Sequence, residues 1–144
     1  EAAIAAEELF KRAQKEEIHL WGISGYRSYK RQEALFYSAN GRPGVAPPGC
    51  SEHQTGLALD ISCPDENYEL EESFAKTKEG CWLARHCALF GFILRYPKNK
   101  EEITGFPFEP WHIRYTGIGL ASSLTLTGMT LEEYYERGLH LPPK

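Results

Sequence analysis

The sequence predicts one α+β domain over residues 1–144, a small, mainly antiparallel sheet with helices packed around it, to one side. Three observations lead there. Four short apolar stretches, 19–24, 57–61, 92–96 and 111–115, have strand character, and their order among the helical patterns is that of an α+β chain. A length of 144 residues fits a single domain of the commonest size, able to bury one core. No internal repeat or domain boundary interrupts it.

Taken in order, residues 2–17 are rich in Ala, Glu, Lys, Leu and Gln and set Ile4, Ala5, Leu9 and Ala13 on one side, an amphipathic helix. His19–Ser24 carries Leu20, Trp21 and Ile23 and reads as a strand. Gly25-Tyr26-Arg27-Ser28 then turns the chain, with Ser28 the N-cap of a helix over 29–39. Asn40–Gly49 holds three glycines and three prolines, an irregular loop. Leu57–Ile61 alternates as a strand, with Asp60 near its end. The acidic stretch Cys63–Thr77 is irregular apart from a short helix around Leu70–Phe74.

Glu79–Phe90 is predicted helical and ends at Gly91, a C′ glycine. Phe92–Tyr96 is a strand stopped by Pro97. Lys98–Pro107 reads as a charged, hairpin-like connection punctuated by Gly105. Trp111–Tyr115 is a further strand, closed by Gly117 and Gly119. Thr130-Leu131-Glu132-Glu133 has the capping-box pattern and starts a last helix through about Arg137. No element is assigned between Gly119 and Thr130.

Composition narrows the partners. The hydrophobic fraction of 42% and charged fraction of 25% are those of a soluble globular protein. The net charge of −4 is made of interspersed signs, without the basic stripe that nucleic-acid binding calls for. No apolar run approaches the roughly 20 residues of a membrane span. Glu1 opens into a polar amphipathic segment with no signal peptide. The chain is therefore expected to be either cytoplasmic or the trimmed ectodomain of a longer secreted or anchored protein. A monomer is the default expectation.

Cys50, Cys63, Cys81 and Cys87 contain no Cys-x-x-Cys pair, which argues against a thiolate zinc knuckle. Cys81 and Cys87 share a predicted helix, where six residues rise about 9 Å, too far for a bridge. Cys87 lies in line with Leu83 and Phe90 and reads as a core thiol. A Cys63–Cys81 bridge in an oxidising compartment and four reduced, mostly buried thiols both remain open.

The chemistry concentrates in two places. Ser51-Glu52-His53-Gln54-Thr55-Gly56-Leu57-Ala58-Leu59-Asp60 and Glu109-Pro110-Trp111-His112 together supply two imidazoles and a carboxylate as candidate ligands, with a spare carboxylate at Glu109. Three protein ligands and an open fourth position describe a catalytic zinc site, whereas structural zinc sites are closed by four. Gly56 permits a close turn between a loop ligand, His53, and a strand ligand, Asp60. Glu109 would be the general base acting on water at the metal. On spacing alone, His53 and His112 read equally well as ordinary hydrogen-bonded histidines and Asp60 as a turn or cap residue. No His-Glu-x-x-His helix is present, so the common zincin arrangement is excluded.

Ser51-x-His53-x-x-Gly56-x-Ala58-x-Asp60 matches the SxHxxGxAxD motif of the family that contains lysostaphin-type enzymes, D-alanyl-D-alanine metallopeptidases and the hedgehog signalling domain. Glu109-x-x-His112 with Trp111 matches that family's second motif. Within it the chain most resembles VanY-type D,D-carboxypeptidases and the related L,D-carboxypeptidases that trim peptidoglycan stems. The likeness also takes in Ser24–Ser28 with Gln32, the Trp82-Leu83 helix, Gly91–Pro97 and Thr104-Gly105, and so runs from about Ile23 to Gly117.

The resemblance implies His53, Asp60 and His112 as zinc ligands and Glu109 as the base that returns its proton to the leaving amine. It implies Arg27 as the donor that polarises the scissile carbonyl, a task suited to a guanidinium that stays charged. Ser51 and Gln32 resemble the residues that hold the substrate's terminal carboxylate and neighbouring amide. Tyr26, Trp111 and Tyr115 are cleft candidates that also read as core aromatics, Trp111 least so.

The implied activity is removal of the C-terminal D-alanine from peptidoglycan stem peptides in a bacterial cell envelope, outside the membrane. Three other readings stay open: an L,D-carboxypeptidase, an endopeptidase using the same site, and a hedgehog-like binding module without catalysis. The pairing of Glu109 with Arg27 argues for the hydrolase, since a binding module needs no base beside an open metal position. Loop 41–49 is the expected seat of specificity. His19 and His86 read as structural or solvated, and His140 as a tail residue outside any ligand set. Asp65, Glu66, Glu69, Glu71 and Glu72 lack calcium-loop spacing and read as a solvated face, as do the loop charges Lys98, Lys100, Glu101 and Glu102.

Overall fold

Strand alternation in this chain divides apolar from polar side chains, and that division determines where everything else sits. A computed structural model describes residues 1–41 and 44–138. Four strands, β1 (Trp21–Ser24), β2 (Ala58–Ser62), β3 (Phe92–Tyr96) and β4 (Glu109–Tyr115), pair antiparallel in the order β1-β2-β4-β3. The α+β class and antiparallel sheet match expectation. Leu59 and Ile61 of β2, Phe92 and Leu94 of β3, and Ile113 and Tyr115 of β4 face one core. Their neighbours in sequence face the other way.

The apolar face is covered by α1 (Ala2–Lys15), through Leu9 and Ala13, and by α3 (Lys78–His86), through Trp82 and Leu83, with Phe74 between them. Trp82 Nε1 donates to Glu16 Oε2 at 2.7 Å, tying α3 to the end of α1. α2 (Tyr29–Ala39) starts at Ser28, whose hydroxyl accepts from the Arg31 amide as an N-cap should. The predicted helix over 79–90 keeps α geometry only to His86 and tightens into a 3₁₀ turn over Cys87–Phe90 before Gly91. The helix expected around 70–74 is a 3₁₀ turn at Glu72–Lys76.

The 98–107 connection joins neighbouring antiparallel strands, as a hairpin does, but contains a helical turn, α4 (Glu101–Thr104). α5 (Ile118–Thr127) occupies the stretch left unassigned. Its apolar, Ser- and Thr-rich sequence shows no one-sided periodicity, so pattern reading has nothing to detect. α6 (Leu131–Glu136) opens with the expected capping box, Thr130 and Glu133 each bonding the other's backbone.

These last two helices correct the one-sided expectation. Ala121, Leu124, Leu131 and Tyr134 form a second cluster around Ile93, on the opposite face of β3. All four cysteines are free thiols, Cys63 and Cys87 buried, so the described structure holds no Cys63–Cys81 bridge. Burial pushes the Cys87 thiol up to about 12. No described helix is long and apolar enough to cross a membrane.

Gly80 marks the tightest approach in the core. A Cβ there would lie 1.9 Å from the Phe74 carbonyl oxygen, a backbone atom that cannot swing aside. At Gly119, within α5, a Cβ would meet nothing within 4 Å. Gly80→Ala is therefore expected to lose on the order of 2–3 kcal/mol of stability. Gly119→Ala should gain up to about 1 kcal/mol from helix propensity. Paired thermal or denaturant unfolding curves check the opposite signs.

Candidate metal centre and active site

The polar face of the sheet brings the candidate ligands together by register. Asp60 of β2 stands directly opposite His112 of β4, the cross-strand position where side chains meet. A 3₁₀ turn over Glu52–Thr55, closed by Gly56 in the left-handed region at φ 73°, lifts His53 onto the same spot. The candidate ligand atoms of His53, Asp60 and His112 lie within 4.8 Å of one another, and all three residues are buried. The two rings meet edge-on, 5.1 Å between centroids.

Hydrogen bonds decide which nitrogen each ring presents. His53 Nδ1 lies 2.8 Å from the Gly25 carbonyl oxygen, an acceptor only, so Nδ1 carries the proton of the neutral ring. That leaves Nε2, 3.1 Å from Asp60 Oδ2, as its lone pair. His112 turns Nδ1 to Asp60 Oδ1 at 2.9 Å and Nε2 to Glu52 Oε2 at 3.4 Å. Burial works against a charge on His112, but the carboxylates of Asp60 and Glu52 outweigh it and raise the imidazole to about 9. Burial likewise opposes ionisation of Asp60, yet bonds from His112 and His53 hold it down at about 2.

Glu109 reaches this cluster through a register shift. Between β3 and β4 the pairing steps from Leu94–Ile113 to Tyr96–Glu109, four residues of β4 against two of β3. On a regular strand residues three apart face opposite sides. The irregularity re-aims Glu109, whose Oε2 comes within 3.9 Å of His112 Nδ1. Gly44 closes over it so tightly that a Cβ would sit 3.1 Å from Glu109 Oε1. Burial above all, with the charges of Asp60 and Glu52 added and His112 opposing, pushes Glu109 up to about 7, the range suited to a general base at neutral pH.

Arg27 reaches the cleft from the turn after β1. Its Nη1 donates to Gln32 Oε1 at 2.7 Å and its Nη2 to Ser24 Oγ at 2.9 Å, while its amide bonds the His53 carbonyl at 3.0 Å. Gln32 is 1% exposed and passes its own amide proton to the Ala46 carbonyl at 2.6 Å. Gln32 therefore braces Arg27 and loop 44–46 as well as lining the cleft. Arg27, Gln32, Ser51, His53, Asp60, Glu109, Trp111 and His112 all border one cleft of about 510 Å³.

Tyr26 is the exception among the predicted site residues. It is 71% exposed and borders a separate apolar hollow beside α1, so it is neither core nor cleft. Tyr115 packs in the core against Phe92. Trp111 both touches the core and lines the cleft. His19 is exposed, His86 stacks on Trp82 at 4.4 Å, and His140 lies outside the described residues.

Sequence reasoning missed Glu52, although it stands inside the first motif. Two arginines from distant strands hold it, and that signal is invisible in linear order. Burial opposes its ionisation, but His112, Arg95 and Arg114 draw it down to about 2. Tyr96, stacked on Phe106 and tilted against His112 at 5.0 Å, was also missed. Glu69, Glu71 and Glu72 are exposed as expected, yet they border the cleft.

The family model for VanY, D-alanyl-D-alanine carboxypeptidase, matches residues 1–118. Putative carboxypeptidase YodJ of Bacillus subtilis (strain 168) is 47% identical over 144 residues, 95% of this chain and 53% of that protein. The bifunctional D-Ala-D-Ala dipeptidase and carboxypeptidase VanXYC of Enterococcus gallinarum is 40% identical, over 79% of this chain and 65% of that protein. The chain thus spans about half to two thirds of these two curated relatives.

Among solved structures, the LdcB LD-carboxypeptidase superposes with a TM-score of 0.88 at 46% identity, covering 94% of this chain and 66% of that one. The vancomycin-resistance D,D-pentapeptidase VanY in complex with Zn(II) gives 0.76 at 35% identity, covering 93% and 81%.

The raised pKa of Glu109 makes the stability of the metal-free protein depend on pH. Its folded value of about 7 lies above the ordinary 4.5, so ionisation inside the cleft disfavours the fold. The penalty is absent below pH 4.5, grows between pH 4.5 and 7 and is constant above, about 3 kcal/mol. Glu109→Gln removes it. Thermal melts in chelator should give matching curves at pH 4 and a more stable variant at pH 8.

Proposed function

The chain belongs to the VanY D-alanyl-D-alanine carboxypeptidase family, and we propose that it is a zinc-dependent carboxypeptidase removing the C-terminal D-alanine of peptidoglycan stem peptides. The observation that carries this is Glu109, re-aimed beside a buried His53/Asp60/His112 cluster at the base of a cleft. The cluster fits zinc. Two imidazoles and a carboxylate are its usual catalytic donors, and the adjoining carboxylates of Glu52 and Glu109 favour a divalent cation.

His53 through Nε2, Asp60 through its carboxylate and His112 through Nδ1 would hold the ion. When bound, zinc supplies Lewis acidity, polarising a carbonyl and lowering the pKa of water. Glu109 takes the proton from the attacking water and passes it to the departing D-alanine amine. Its elevated basicity suits both transfers, and a divalent cation beside it would lower its pKa from about 7.

Arg27 stays charged and already spends two donors on Gln32 and Ser24, which fixes its plane at the cleft wall. From there it donates to the carbonyl oxygen as negative charge develops. Ser51, with the rest of the polar wall, receives the terminal carboxylate. The bond lies in peptidoglycan, so the protein works at the bacterial cell envelope. A second reading, an L,D-carboxypeptidase acting on the tetrapeptide, is favoured by the 46% identity to LdcB, against 35% to the D,D-pentapeptidase.

Mass spectrometry of stem pentapeptide and tetrapeptide after incubation with zinc-loaded protein separates these readings. Loss of one alanine from the pentapeptide supports the D,D reading, and loss from the tetrapeptide alone the L,D reading. A chelator should abolish either and zinc restore it. Glu109→Ala should be inactive, and Arg27→Ala slower by roughly 100- to 1000-fold. Internal cleavage would indicate an endopeptidase, and intact peptides with zinc bound would sink the hydrolase.

A further inference from the structure

One carboxylate of the cleft is occupied with something other than substrate. Glu52 Oε1 accepts from Arg95 Nε at 2.7 Å and stands 2.8 Å from Arg114 Nη1. Its other oxygen, Oε2, lies 3.4 Å from His112 Nε2. With both oxygens engaged and the side chain only 13% exposed, Glu52 has little left to offer a ligand.

We propose that Glu52 is a positioning residue for His112, keeping the ring proton on Nε2 so that Nδ1 presents its lone pair towards Asp60 and Glu109. The proposal rests on the metal reading of the cluster. Its logic is acceptor chemistry. Both ring nitrogens face carboxylates, Nδ1 at 2.9 Å from Asp60 Oδ1 and Nε2 at 3.4 Å from Glu52 Oε2. With a metal held among the ligands, Asp60 gives its charge to the ion, and the single proton of a neutral ring is left to Nε2, where Glu52 only accepts. The other nitrogen is then free to ligate. Carboxylates behind ligating histidines orient them in this way.

What distinguishes this pair is its anchorage. Arg95 is clamped by both oxygens of Glu132, Nη1 at 3.0 Å and Nη2 at 2.5 Å, and Glu132 belongs to α6. The same guanidinium lies 4.9 Å above the Tyr96 ring, which is itself 5.0 Å from His112. The imidazole is thus held from its Nε2 edge by Glu52 and across its face by Tyr96, and Arg95 supports both. A chain of charged contacts, Glu132–Arg95–Glu52–His112, links the last described helix to the candidate metal ligand.

The test reads metal and proton, not turnover. Long-range ¹H–¹⁵N spectra of the zinc-loaded parent should place the His112 proton on Nε2, and this needs no variant to fold. Zinc affinity, measured by competition with a chromophoric chelator, should fall about 10- to 100-fold in Glu52→Gln. Glu132→Gln should shift it less, in the same direction. Lys100→Gln, which releases α6 from a different contact with Glu133, should leave it unchanged.

A proton on Nδ1 in the parent, or parental affinity in Glu52→Gln, overturns the assignment. A parent that binds no zinc overturns it together with the metal reading. Tight zinc binding with the expected losses, but no peptide cleavage, would uphold it while rejecting the proposed activity.

Discussion

The register between β2 and β4 is the constraint on which the rest depends. Pairing Asp60 with His112 sets two candidate ligands side by side without help from any loop. A slip of one residue would carry Asp60 to the apolar face among Ile113 and Phe92 and bring Leu59 to the cleft. Register is therefore protected by burial on one side of the sheet and used for chemistry on the other. The α1 and α3 helices pack in the same core as Ile61 and Ile113, and so hold the strands that carry the candidate ligands.

Three carboxylates, Asp60 and Glu109 buried and Glu52 largely so, share this cleft, and their environments push them apart. Glu52 is held down by two guanidinium groups and an imidazole, Asp60 by two imidazoles. Glu109 has only His112 nearby, at 3.9 Å, and burial dominates, so it alone keeps affinity for a proton near neutrality. Carboxylates with such separated environments take separate roles. Glu109, the base of the proposed mechanism, is set apart by lacking the guanidinium or paired imidazole contacts that hold the other two down.

Much of this was legible in linear order, for reasons that differ by element. α2, the turn at Gly91 and α6 were readable because Ser28, Gly91 and the Thr130–Glu133 box are local devices whose partners lie a few residues away. His53, Asp60, His112 and Glu109 were readable through motif spacing. What linear order hides is long-range. Glu52 is given its place by Arg95 and Arg114, 43 and 62 positions on in the chain.

Glu109 and His112, three apart, converge only through a bulge that no residue type announces. α5 was invisible because it is apolar all round, the mark of a segment settled by packing. Tyr26 was misplaced because an aromatic next to Arg27 in sequence points away from it across the turn.

The irregular loop expected to set specificity is bound to the cleft by two side chains, Gln54, which accepts from the Gly49 amide at 2.8 Å, and Gln32. Gln32, on α2, accepts from Arg27 and donates to Ala46, and two residues earlier Gly44 roofs Glu109. A buried amide bonded at both ends fixes the distance between its partners, since losing either would strand a polar atom away from water. The Arg27 guanidinium and the backbone beside Glu109 are therefore tied to each other through one amide. On the proposed mechanism a change of loop sequence is therefore expected to act on Arg27 and Glu109 together, through residue 32.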